Sequence, residues 1–188
     1  PNTKVVWRVF INEVNMLTDE QVLRVTFMLH DGNSAPLKYC TDTVYLDVGH
    51  NGRMRDISFL AFMPKLECCI LSGSLVTDLD PVANCKNLVW MECCFCGYLS
   101  DISALKDHPT LKYLNISFTK VTDISMLDNV QLERMVAMTT WILKDDMLHF
   151  EEMHPDCLTA WYGEQPYGYP WRYDALPAVA SCYFAYYL

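Results

Sequence analysis

The sequence predicts a repeat solenoid, a fold in which similar short units stack in line and share one continuous core. Five similar stretches start at positions 43, 66, 88, 111 and 132, so the gaps are 23, 22, 23 and 21 residues. Aspartates at positions 56, 78, 101, 123 and 145 repeat with gaps of 22, 23, 22 and 22 residues. Near-constant periods of 20 to 50 residues are the signature of repeat architectures.

The spacing of apolar residues within a unit supports the same prediction. In residues 111–127, LKYLNISFTKVTDISML, apolar residues fall at positions 111, 114, 116, 121, 124 and 127. This rhythm matches neither the period of 2 of a half-buried strand nor the period of 3.6 of an amphipathic helix. One such unit cannot bury its apolar edge alone, so we expect neighbouring units to stack.

These units resemble the leucine-rich repeat L-x-x-L-x-L-x-x-N-x-x-x-D-I-x-x-L, in the 22-residue form of bacterial internalin-like proteins, over about residues 43–150. The resemblance implies an α/β leucine-rich-repeat solenoid, with a curved parallel sheet on the concave face and short helical turns on the convex face. The Asn position of the pattern is filled by small polar residues or Cys, which can still satisfy the backbone there. Inward positions include Leu66, Leu88, Leu111, Leu114 and Ile116.

We expect three parts along the chain. Residues 1–42 would be an N-terminal α/β cap or a junction with an upstream module, residues 43–154 about five repeats, and residues 155–188 an aromatic C-terminal cap. Residues 18–32 read as a helix that ends at Gly32, although residues 22–29, VLRVTFML, are also typical of a strand. The stretch VVWRVFI reads as a strand, and DDMLHFEEMH reads as a helix.

The repeated aspartates Asp56, Asp78, Asp101 and Asp123 allow two interpretations. A column of carboxylates could bind calcium, or each carboxylate could accept free N–H groups of the short turn that follows it. Each Asp is followed at once by an apolar residue, and no Gly-Asp-rich calcium loop is present. We therefore favour a structural, capping role.

Charge and composition exclude several classes of partner. The formal net charge is -9 and the pI is near 4.9, which argues against binding nucleic acid or an anionic membrane. The longest apolar run, LPAVASCYFAYYL, is too short to span a bilayer. No nucleophile, P-loop, dinucleotide or zinc-protease motif is present, so nothing in the sequence calls for an enzyme or a cofactor.

The nine cysteines include a zinc-like spacing, Cys93-x-x-Cys96. The repeat register places Cys69 and Cys93 at inward Leu positions and Cys96 at the Asn position, so we predict core thiols with no metal and no disulfide between Cys93 and Cys96. An odd number of cysteines favours a reducing, cytoplasmic setting. The resemblance implies a secreted or cell-surface location instead.

The register also predicts a surface. Side chains that face outward on successive strands would form rows about 4.8 Å apart, with Tyr45, Trp90 and Tyr113 as an aromatic stripe. Rigid aromatic side chains are enriched at binding hot spots, although aromatics also simply suit strands. The candidate binding residues are Tyr45, Asp47, Trp90, Glu92, Tyr113, Asn115 and Arg134.

The sequence thus predicts a non-catalytic scaffold that binds a protein or peptide on the concave sheet. One alternative is carbohydrate or cell-wall binding through the Tyr/Trp-rich stretch YGEQPYGYPWRYD. For that stretch we favour a different role, in which it seals the open end of the repeat core. The other alternative is a structural spacer within a longer surface protein.

Overall fold

The computed structural model describes residues 21–162, which form one parallel sheet with its strands in chain order. Each strand has three residues and pairs with the next strand along the chain. The predicted leucine-rich-repeat solenoid is confirmed. The seven strands of the described range are β1 (Val22–Arg24), β2 (Tyr45–Asp47), β3 (Cys68–Ile70), β4 (Trp90–Glu92), β5 (Tyr113–Asn115), β6 (Arg134–Val136) and β7 (Leu158–Ala160).

Short helical turns connect the strands. Parallel neighbours need a crossover connection, and here most crossovers contain a single short 3₁₀ turn. The last crossover contains the predicted helix instead, α1 (Lys144–Met153). The 3₁₀ turns are Ala35–Tyr39, Ser58–Phe62, Asp80–Asn84, Ser103–Leu105 and Ser125–Leu127.

The main core lies between the sheet and the turns. The middle residue of each strand from β2 to β6 points into it and is fully buried. The register aligns these residues as a row: Leu46, Cys69, Met91, Leu114 and Met135. The other inward positions, Leu66, Leu88, Leu111 and Ile116, are also at most 1% exposed.

The turn at the Asn position keeps its backbone satisfied despite the substitutions. Asn51 donates from Nδ2 to the carbonyls of Val25 and Val48 at 2.9 and 2.8 Å. At the equivalent position Thr119 donates to the carbonyl of Ile116 at 2.7 Å. A hydroxyl has one donor where an amide has two, so Thr119 bonds within its own repeat whereas Asn51 also bonds to the preceding one.

The repeated aspartates hold the start of the 3₁₀ turns. The Oδ1 atom of Asp101 accepts the backbone N–H of Ser103 at 2.8 Å, and Asp123 accepts that of Ser125 at the same distance. Equivalent bonds come from Asp56 at 2.8 Å and Asp78 at 3.3 Å. Each carboxylate thus supplies an acceptor for an N–H that has no partner within its turn.

The N-terminal helix predicted for residues 18–32 is wrong within the described range. Residues 22–24 form β1, which pairs with β2 in the register Val22↔Tyr45, Leu23↔Leu46 and Arg24↔Asp47. Leu23 packs against the main core. The backbone pairing and this contact together stabilise the strand more than the local helix propensity stabilises a helix. The predicted strand VVWRVFI and most of the Tyr/Trp-rich stretch lie outside the described residues.

Candidate functional site

The side chains at the two ends of each strand lie on the face of the sheet opposite the main core, which we call the concave face. The pairing register aligns them across the strands as the repeat predicted. The first row contains Val22, Tyr45, Cys68, Trp90, Tyr113, Arg134 and Leu158, and the second contains Arg24, Asp47, Ile70, Glu92, Asn115, Val136 and Ala160.

The concave face is much less exposed than we expected from the sequence. Trp90 is 0% exposed and Tyr45 is 1% exposed, although both point away from the main core. With Cys68, Ile70 and Val136 they form a second apolar cluster, separate from the first. The direction of these side chains is as predicted, but their solvent exposure is not.

Trp90 lies at the centre of this face, on the fourth of the seven described strands, and is held on two sides. Its ring packs against Tyr113 with centroids 4.9 Å apart and planes tilted by 36°. Its indole Nε1 donates to Oε1 of Glu92 at 2.9 Å. The predicted aromatic stripe is interrupted by Cys68, which separates Tyr45 from Trp90.

Asp47 is a buried carboxylate with several polar neighbours. It accepts the N–H of Gly49 at 3.0 Å and lies 3.3 Å from the guanidinium of Arg24. The Tyr45 hydroxyl is 3.5 Å from its Oδ2 atom. Burial raises the pKa of Asp47, while the Gly49 N–H and the charge of Arg24 oppose that rise.

Tyr113 begins a polar network at the edge of the concave face. Its hydroxyl donates to Glu133 at 2.9 Å, and Lys112 donates to the other oxygen of that carboxylate at 2.7 Å. Partial burial, together with the Glu133 carboxylate, raises the pKa of Tyr113 to about 12. The hydrogen bond from Lys112 lowers the pKa of Glu133.

The remaining candidate residues extend the face toward β6. Asn115 is buried and accepts the N–H of Ser117 at 3.0 Å, the same bond that Asp47 makes with Gly49. Arg134 is half-buried beside Tyr113 in the first row. The face is therefore lined by apolar and aromatic side chains together with fixed amide and carboxylate acceptors.

The described residues bring together no cluster of metal-ligating side chains. No group of three or more His, Cys, Asp or Glu residues in the range 21–162 could hold a metal ion. Cys93 and Cys96 are buried thiols in the main core, and Cys96 lies 3.3 Å from the hydroxyl of Ser74. Burial raises the pKa of both thiols, which makes them poor nucleophiles and poor ligands.

The sequence interpretation missed Arg24, the cation that faces Asp47. Of the two readings left open for this stretch, the strand reading holds for residues 22–24 and the helix reading does not. The signal was present, because Val22 and Arg24 precede Tyr45 and Asp47 by the same 23 residues that separate the next two strands.

A second set of aromatic side chains lies on the flank of the solenoid and is exposed. Tyr98 is 51% exposed and Trp141 is 62% exposed. The ammonium of Lys120 is 5.2 Å from the Tyr98 ring centroid and 5.9 Å from that of Trp141. These residues provide controls for the concave face, since they are aromatic and lie outside both of its rows.

Comparison with known proteins places the fold among bacterial leucine-rich-repeat proteins. No family model matches the sequence, and the comparison with curated proteins finds no match. Among solved structures, an internalin from Listeria monocytogenes is 29% identical with a TM-score of 0.61 and covers 71% of this chain. The match covers 41% of that internalin, so the chain spans less than half of its length.

Two further structures have the same fold. Internalin C2 from Listeria monocytogenes has a TM-score of 0.52 at 18% identity, with 88% of this chain and 87% of that chain covered. A leucine-rich-repeat protein from Leptospira interrogans has a TM-score of 0.55 at 14% identity and covers 66% of this chain and 38% of its own. The resemblance predicted from the repeat is confirmed.

Proposed function

We propose that this chain, an internalin-like leucine-rich-repeat protein, is a non-catalytic scaffold that binds a protein or peptide on its concave face. The observation that carries the proposal is the fixed position of Trp90 at the middle of that face. Its ring packs against Tyr113 and its Nε1 is bonded to Glu92, so little side-chain freedom is lost when a partner packs against it.

The chemistry around Trp90 suits a polypeptide. Aromatic and aliphatic side chains line this face, and the carboxylates of Asp47 and Glu92 are acceptors of the kind that pair with main-chain N–H groups or a basic side chain. Both carboxylates are held by neighbouring donors, Gly49 for Asp47 and Trp90 for Glu92. Their positions are therefore set before a partner arrives.

Capture of a partner by the immobilised protein, followed by affinity measurements on variants, tests this proposal. Losing a central, rigid aromatic typically costs 2 kcal/mol or more, so Trp90→Ala should weaken binding at least ~30-fold. The matched control is Trp141→Ala on the flank, which should leave the affinity nearly unchanged. Equal affinities for the two variants, or a loss confined to Trp141→Ala, would contradict the proposal.

Because Trp90 is buried, its substitution also has to be checked for folding. Thermal unfolding of Trp90→Ala would show whether the repeat fold survives. Trp90→Phe keeps an aromatic ring against Tyr113 but removes the donor to Glu92, and it serves as the milder second variant. A smaller but clear loss of affinity is expected for it.

The cellular location of the protein is the second part of this proposal. No helix within residues 21–162 is long and apolar enough to cross a membrane. We infer a secreted or cell-surface location from the resemblance to internalins, with the cytoplasm as the alternative that the core thiols favour. Protease treatment of intact cells that express the natural protein would separate the two locations.

A further inference from the structure

One turn position, directly beyond the strands, carries an aromatic ring in most repeats. It lies three residues after the end of each strand and is filled by Phe27, His50, Gly73, Phe95 and Phe118, which we call the turn column. From His50 onward each member donates its backbone N–H to a carbonyl of the next repeat, at 2.6 to 2.9 Å. The position is therefore equivalent from repeat to repeat.

The backbone at this position favours glycine. Gly73 has a φ of 74°, and the four aromatic members have left-handed φ values of 59°, 59°, 62° and 58°. Residues other than glycine seldom adopt this conformation, and where they do so they are often part of a functional site. Aromatic residues at such a position indicate that the rings themselves have a role.

The four rings form two stacked pairs. The ring centroids of Phe27 and His50 are 4.7 Å apart with planes 9° from parallel, and those of Phe95 and Phe118 are 4.5 Å apart with planes 7° from parallel. Phe27 is 54% exposed and Phe95 is 45% exposed. Formation of the core therefore does not account for these rings.

Gly73 separates the two pairs and contributes no ring of its own. His50 and Phe95 are two strand steps apart in the column, which is about 9.6 Å at ~4.8 Å per step. Aromatic rings stack favourably at centroid distances of about 4.5 to 7 Å. A planar ring midway between His50 and Phe95, which we call the Gly73 slot, would lie in stacking distance of both.

The slot adjoins the concave face. Ser72 and Cys94 directly precede Gly73 and Phe95, and the Cys94 thiol donates to the Ser72 hydroxyl at 3.1 Å. Side chains alternate along an extended chain, so Ser72 and Cys94 continue the outward positions of β3 and β4. A polypeptide lying on the concave face can therefore place one side chain in the slot.

The chemistry of the walls favours an aromatic occupant. Trp, Tyr, Phe and Arg are all planar enough to stack between two rings. Arg53 and His50 line the same cavity, so a cationic guanidinium in the slot would be repelled by a nearby charge of the same sign. An uncharged ring meets no such opposition.

We propose that the Gly73 slot receives one aromatic side chain of the polypeptide that binds the concave face. This deepens the proposed function and rests on it for the source of the ring. The slot selects for an aromatic residue in the partner, since an aliphatic side chain of similar size would make neither stack.

A titration with small probes tests the slot in the full chain without a partner. N-acetyl-tryptophanamide is the probe and N-acetyl-leucinamide its aliphatic control, and NMR follows the backbone amide signals of His50 and Phe95 in isotope-labelled protein. The tryptophan probe should shift both signals saturably. The leucine probe should bind at least ~5-fold more weakly, because it lacks two ring contacts.

Gly73→Phe fills the slot from within and should abolish both shifts. The change is compatible with the turn, because Phe95 and Phe118 adopt the same left-handed backbone and a Cβ at position 73 would meet His50 only at 3.5 Å or more. The matched control is Gly97→Phe, where a Cβ has no neighbour within 4 Å among the described residues. This control should bind the probe as the unmodified protein does.

Phe95→Ala is the second variant, in case Gly73→Phe does not fold. It removes one wall of the slot at an exposed position and should weaken probe binding by about 3-fold or more. Each variant is checked by thermal unfolding before the titration.

The inference is overturned if the tryptophan probe causes no saturable shift, if the leucine probe or N-acetyl-argininamide binds equally well, or if Gly73→Phe or Phe95→Ala leaves binding unchanged. Probe binding together with an unchanged partner affinity in Trp90→Ala would reject the proposed function and leave the slot in place. The absence of probe binding together with a loss of partner affinity in Trp90→Ala would reject this inference alone.

Discussion

Leu114→Ala tests the repeat register at the centre of the main core. Leu114 is the middle residue of β5 and is fully buried between its register partners Met91 and Met135. Shortening it to Ala removes three carbon atoms from the core and leaves a cavity lined by these methionines.

The expected loss can be worked out from these contacts. The transfer of three buried carbons is worth about 2.4 kcal/mol at ~0.8 kcal/mol each. The residual cavity adds to this, which gives the range of about 2–5 kcal/mol typical of buried Leu→Ala changes. Methionine side chains are flexible and can partly fill the space, so we expect ~3 kcal/mol.

The assay is equilibrium unfolding in denaturant, with Lys112→Ala as the control. Lys112 is two residues away, and its ammonium bonds to Glu133 with both side chains about half exposed. Removing such a surface ion pair should cost ~0.5 kcal/mol or less. Equal losses for the two variants would refute the assignment of Leu114 to the inward row.

Three further predictions concern ionisable groups. The turn hydrogen bonds lower the pKa of Asp101 in the folded state, so its stabilising contribution is present above pH ~3.9 and is lost on acidification. Unfolding curves between pH 5 and 2 should therefore depend less on pH in Asp101→Asn than in the unmodified protein. The pKa of Tyr113 is raised to about 12, so its contribution to stability should decline from pH ~10 to 12. An alkaline absorbance titration should show one tyrosine that ionises late. Tyr113→Phe should remove this late step, and Glu133→Gln should move it to lower pH. Mass analysis without reductant should find Cys93 and Cys96 as thiols, and Cys93→Ser should leave the zinc content of the protein unchanged.

The repeat made the register of the sheet predictable. A period of 22 to 23 residues fixes which side chains share a row, so the alignment of Tyr45, Trp90 and Tyr113 followed from counting alone. The same count extends to Val22, where it supports the strand reading of residues 22–29 over the helix reading of residues 18–32. The local helix propensity of these residues predicts their conformation less well than the repeat count does, because pairing with β2 and the packing of Leu23 decide it.

The burial of the concave face could not be predicted in the same way. Periodicity tells which way Trp90 points but not how deeply it is buried, since burial depends on contacts that are distant in sequence. The bond from Trp90 to Glu92 was likewise not predicted, although the two residues lie two positions apart and therefore on the same face. The repeat spacing is enough to predict which side chains share a row of the sheet. Contacts between residues that are distant in sequence can be found only from the folded structure.

The central claim, that the concave face holds a polypeptide, is tested most directly by site-specific photocrosslinking. A benzophenone amino acid replaces Tyr113, half-buried on the concave face, or Trp141, exposed on the flank. With a captured partner, position 113 should crosslink to that partner. Crosslinks from position 141 with none from position 113 would contradict the account.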